Sequence, residues 1–138
     1  MTGRQSPELN VVFSLLSNAR RRSLLYLLLN SEYATVDDLA TKIVAWEQGC
    51  SLREVSEDDH RRVAVSLVHV HLPRLADENV VDYDDRNGDV VTASGFDRLR
   101  PFLEDAYASE HTDELPERSH LSVLYSKPPE EPFALEDD

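Results

Sequence analysis

Apolar positions recur with a helical period along the first half of this chain, and then the period changes. Val12, Phe13, Leu15 and Leu16 make a first short apolar helix. It is entered through Ser6-Pro7-Glu8, which reads as an N-cap, a proline at the first helical position and an acid in the first turn. Asn18 can recap the chain for a second helix reaching about Asn30. Its Leu24, Leu25, Leu27, Leu28 and Leu29 are too continuous for a surface helix, so this segment is expected to be buried on most sides. Thr35-Val36-Asp37-Asp38 has the form of a capping box and opens a helix to about Trp46, and Ser56-Glu57-Asp58-Asp59 has the same form. After it, Val63, Ala64, Leu67, Val68, His71, Leu72 and Leu75 give the clearest amphipathic pattern in the chain. Pro73 falls late in that helix and is expected to bend or shorten it.

The pattern then turns to strands. Val80 to Asp84 and Asp89 to Thr92 are β-type runs around Arg86-Asn87-Gly88, and Asn-Gly between such runs signals a hairpin. Thr92 can cap a last helix with Phe96, Leu99, Leu103, Ala106 and Tyr107 on one face, its regularity challenged by Pro101. From His111 the composition shifts: residues 111–138 hold eight Asp/Glu, four Pro and two basic residues. Such a segment is expected to be poorly ordered, apart from the apolar island Leu121 to Tyr125. The expected organisation is one domain over 7–109 and an acidic, proline-rich tail over 110–138.

Helix, helix, helix, hairpin, helix is the order of a winged helix-turn-helix. The fold class is therefore mainly α with a small β-hairpin. In that fold the third helix enters the major groove of DNA and the hairpin flanks it. With the apolar stripe turned inward, Arg61, Arg62, Val65, Ser66 and His69 lie on or near the opposite side. Arginine and serine can bond phosphate oxygens, and arginine can also read guanine edges. The candidate DNA-binding residues are Arg61, Arg62, Ser66 and His69, with Arg20 and Arg21 as phosphate contacts. Arg20, Arg21 and Arg22 span roughly 200° of helix, so they cannot all face one ligand, and structural use competes with DNA contact.

The net charge of −13 argues against nucleic acid until its distribution is considered. Residues 1–76 hold nine basic and nine acidic residues; residues 77–138 hold five and 18. Only Lys42 and Lys127 are lysines, the rest of the basic residues being arginine, and an acid-rich, lysine-poor chain suits a salt-accumulating cytoplasm. The start lacks a signal-peptide pattern, and Leu24 to Leu29 is far too short to cross a bilayer, so a soluble cytoplasmic protein is expected. Cys50 is the lone cysteine, which excludes an internal disulfide and reads as a plain thiol. His69 and His71 point to nearly opposite sides of a helix and do not make a metal site. With no phosphate loop, dinucleotide fingerprint or nucleophile elbow, neither catalysis nor a cofactor is expected.

The runs LLSNARRRSLLYLLL, TVDDLATKIVAWE and HRRVAVSLVHVHLPRLADENVVDYDD resemble an uncharacterised haloarchaeal family of predicted winged-helix domain proteins, over about residues 9–95. The resemblance implies a winged-helix fold and a role in transcriptional control, with no catalytic residues. Two features depart from a compact DNA reader. The connection over residues 48–56 is longer than a tight helix-turn-helix turn, and Asp82, Asp84, Asp85 and Asp89 surround Arg86 at the wing. Two readings follow: a sequence-specific DNA-binding transcriptional regulator, or a winged-helix protein–protein interaction module that docks a partner through its acidic wing or tail. The terminal helices carry more apolar surface than one small core needs. A homodimer through Phe13, Leu16, Phe102 and Tyr107 is expected from that surplus.

Overall fold

The computed structural model describes residues 7–111. Helices α1 (Leu9–Leu16) and α2 (Ala19–Asn30) are followed by strand β1 (Tyr33–Thr35) and helix α3 (Val36–Gln48). A 3-10 turn (Leu52–Glu54) leads into α4 (Glu57–Ser66), which continues through a π-helical segment (Leu67–His71) into α5 (Leu72–Asp77). Strands β2 (Val81–Asp84) and β3 (Asp89–Thr92) form the hairpin, and α6 (Phe96–Glu110) closes the chain of elements. The sheet is antiparallel in the order β1-β3-β2, with Tyr33 opposite Val91 and Val81 opposite Thr92. The protein is a winged helix-turn-helix, mainly helical with a small sheet.

Local chemistry sets most boundaries. The Asn18 side chain accepts from Arg21 N, Thr35 Oγ1 from Asp38 N and Ser56 Oγ from Asp59 N, so each expected cap satisfies an end-of-helix amide. Two starts fall elsewhere. Helix α1 begins at Leu9 with Glu8 in the cap position; Pro7 stands before it and Ser6 lies outside the described residues. Thr92 belongs to β3, and α6 starts behind Gly95. A Cβ at Gly95 would lie 2.6 Å from the Asn79 carbonyl oxygen, so only glycine allows this approach. Strand β1 escaped the sequence because it is three residues long and its partner is β3, far along the chain.

Pro73 does not end the long helix, which passes through it behind a π segment. Proline cannot donate to a helical carbonyl, and its ring crowds the carbonyl four residues back, that of His69. The π segment ahead of it widens the turn, with Leu72 N bonding Leu67 O. The extra residue in that turn brings His71 and Leu72 inside together.

The core is shared by all layers. Leu24, Leu25 and Leu28 of α2 and Leu39, Ile43 and Val44 of α3 meet Leu67, Leu72 and Leu75, and they are closed by Val80, Val90, Phe96, Leu99 and Leu103. As the leucine run implied, α2 is buried almost all round. The expected boundary after Ser109 falls too early. Glu110 ends α6, and His111 is buried, stacked on Tyr107 and Trp46 with centroids 4.0 and 4.7 Å apart. The rest of the expected tail, with the island Leu121 to Tyr125, lies outside the described residues. Among the described residues, no helix is long and apolar enough to cross a membrane.

Candidate nucleic-acid interface

Helix α4 and the π segment after it pack Val63 and Leu67 inward and turn Arg61, Arg62, Val65 and His69 outward. The Arg61 and Arg62 side chains are 67% and 66% exposed, each held by the aspartate one turn earlier: Arg61 to Asp58 at 3.2 Å, Arg62 to Asp59 at 3.0 Å. Exposed pairs of this kind are weak and exchange readily for another anion. Val65 and Val70 add apolar surface at 49% and 53% exposure. Val70 could not be placed from the amphipathic pattern, because the π segment shifts the helical register by one residue at this point. Ser66 is half-buried; its hydroxyl donates to Val63 O and accepts from Arg20, so it positions rather than reads. The helix N-terminus is no ready phosphate site, since Glu57, Asp58 and Asp59 already meet its dipole.

The run at 20–22 points three ways, as the 200° spread required. Arg20 grips Glu47 through two bonds, at 2.9 and 2.8 Å, and reaches Ser66. Arg22 bonds Leu16 O and both oxygens of Glu110, which also accepts from the Tyr26 hydroxyl. Arg21 is 7% exposed. It donates to Leu15 O at 2.8 Å, closing an open carbonyl of α1, adds a bond at 3.1 Å to Ser14 O beside those from Ser17, and meets His71 Nδ1 at 3.2 Å. Arg21 is therefore withdrawn as a DNA contact: its guanidinium is spent inside the fold. His71 is the buried, hydrogen-bonded histidine its place on the apolar face suggested, while His69 is exposed. Burial, with Arg21 and Arg20 close by, pushes the His71 imidazole below its ordinary pKa, so it stays neutral and accepts from Arg21.

The wing carries negative charge to its tip. Arg86 folds back on Asp84, its backbone N–H and its guanidinium both bonding Oδ1, at 3.0 and 3.2 Å. These bonds hold the Asp84 carboxyl below its ordinary range. Asp82 and Asp85 are exposed, and Asp89 accepts from the Tyr33 hydroxyl at 2.8 Å. The long α3–α4 connection is ordered by its own caps: Gly49 takes a left-handed φ of 66°, and Ser51 and Glu54 form a reciprocal capping box.

A family model described as a domain of unknown function, DUF7344, matches residues 13–91, more than half the chain. The chain belongs to this family. No curated protein and no solved structure matches the chain.

The matched span of the DUF7344 domain runs from Phe13 to Val91, so it takes in the exposed face of α4, the arginine run and most of the wing, and stops before α6. Within it, a cleft between α3 and α4 holds His60, which lies 3.0 Å from Asp37 Oδ1, beside Glu57 and Arg61. Among the described residues, no cluster of metal-type ligands converges there or elsewhere. Burial, with Glu54 and Asp59 nearby, pushes the Cys50 thiol up in pKa, away from a reactive thiolate. Of the expected dimer residues, Phe13 and Phe102 touch each other edge to face with centroids 5.7 Å apart, and Leu16 is buried beside them. Tyr107 turns inward onto Tyr26 and His111 and is withdrawn from the dimer face.

Proposed function

We propose that this DUF7344 protein is a sequence-specific DNA-binding transcriptional regulator of the cytoplasm, reading the major groove with α4 and its continuation. One observation carries the reading: the face holding Arg61, Arg62, Val65 and His69 is covered by no other described element, and its arginines are tied only to aspartates of their own helix. In the groove, each guanidinium can leave its aspartate for a phosphate or for guanine O6 and N7. Val65 suits a thymine methyl, and His69 can donate to a base edge or phosphate. Arg20, clamped by Glu47, sets the position of Ser66 and contributes no direct contact. Because Asp58 and Asp59 must be displaced, electrostatic affinity is modest, and base-edge contacts supply the selectivity.

Selection from a random duplex library in molar KCl tests this. An enriched motif is expected, with Arg61→Ala and Arg62→Ala each lowering the salt slope by about one unit. A library that stays unselected overturns the reading. The closed Arg86–Asp84 pair and the surrounding aspartates favour a second reading, in which the wing docks a basic protein partner instead of phosphate. An unselected library together with binding to a basic peptide that Asp82→Asn and Asp85→Asn abolish is the outcome it requires.

A further inference from the structure

We propose that α1 and α6 together form the interface of a two-fold homodimer. The two helices run side by side in the same direction. Arg98 Nε donates to Pro7 O at 3.3 Å near their starts, Phe13 meets Phe102 midway, and Arg22 bridges Leu16 O and Glu110 at their ends. Leu9 and Phe13, one turn apart on α1, are 44% and 55% exposed. Beside them a groove of about 480 Å³ is floored by Leu16 and Ala106 and walled by Phe13 and Phe102. Side by side, the helices present a face roughly 20 Å across, about 400 Å² per copy, the size of a small, weak interface.

A second copy is the occupant that the charges fit. Arg98, Phe102 and Asp105 follow one another at helical spacing on α6, and the Arg98 guanidinium lies over the Phe102 ring. A two-fold axis through Phe102 turns α6 antiparallel to its copy. Arg98 then faces the partner subunit's Asp105, and Phe13 enters the copy's groove; each contact is made twice. The tail of this same chain fits less well. Its island sits in a segment with eight acids and two basic residues, and the groove rim carries Asp105 and Glu110. Neither α1 nor α6 packs extensively on α4, so the face proposed for DNA stays clear in the dimer.

Light scattering on the full chain in molar KCl, without DNA, is expected to give twice the 15.7 kDa chain mass. Phe13→Glu and Phe102→Glu should each return the mass to one chain while helical circular dichroism is kept. If Phe102→Glu fails to fold, Phe13→Glu, at an exposed site, still decides. Arg98→Asp should weaken the dimer, and adding Asp105→Arg should restore it. A monomer at high protein concentration, or a dimer that survives both glutamates, overturns the proposal. A monomer in which Leu124→Glu lowers amide protection around Phe102 also overturns it, and gives the groove to the tail.

Discussion

Two arginine runs, Arg20-Arg21-Arg22 on α2 and Arg61-Arg62 on α4, sit on neighbouring parts of one small domain. In the first, every guanidinium has a fixed partner distant in sequence or in the backbone: Glu47 and Ser66, the α1 carbonyls and His71, Leu16 O and Glu110. In the second, both side chains reach only the preceding turn and remain two-thirds exposed. The difference lies in what surrounds the helix. Helix α2 is central, and its first turn abuts the end of α1, where carbonyls without helical partners need donors. Helix α4 is peripheral, and one side of it is covered by no other described element. A guanidinium beside open carbonyls becomes part of the fold; one beside water stays available for a ligand.

The strongest test of this contrast is Arg21→Met, which takes from the Leu15 carbonyl and from His71 Nδ1 the guanidinium that meets them inside the protein. A loss of about 3 kcal/mol in denaturant unfolding is expected; a stable variant would break the contrast at its centre. Lowering pH probes the same spot. Folded His71 resists protonation, whereas the unfolded chain takes a proton near the ordinary ~6.5. Its contribution is therefore intact above that value and is lost as pH falls toward the depressed folded value. Unfolding melts across pH 7 to 4 should show this loss, and His71→Gln should remove that part of the pH dependence. Smaller still is Arg20→Ala, which gives up a partly exposed bidentate pair and should cost about 0.5–1 kcal/mol by the same melts. Smallest is Arg61→Ala with Arg62→Ala: the unfolding midpoint should not move, while any DNA affinity falls. A destabilised double variant would show that these arginines, too, belong to the fold.

Much of the fold was legible along the chain because its signals are local. Asn18, Thr35 and Ser56 cap the helices they were assigned to, since a cap needs only its own amide two or three residues on. Asn87-Gly88 makes the hairpin turn, with Gly88 at φ 78°, because the turn geometry is set by the residues in it. The outward face of α4 was equally legible up to His69, where the π segment breaks the period used to assign it. Arg21 and Tyr107 were not legible. Their directions depend on the α1 carbonyls and on the Trp46–His111 stack, neither of which has a sequence pattern.

The sequence by itself determined the order of the helices and the hairpin, the buried helix α2, the inward stripe of α4 and the acid excess of the second half, because periodicity, capping and charge are properties of neighbouring residues. Only the tertiary structure decided which arginines are spent and which remain exposed, that Tyr33–Thr35 joins the wing as a third strand, and that Phe13 and Phe102 wall one groove. Each of those outcomes rests on groups brought together from distant parts of the chain, where the partner's position, and not the residue's own type, sets the energy.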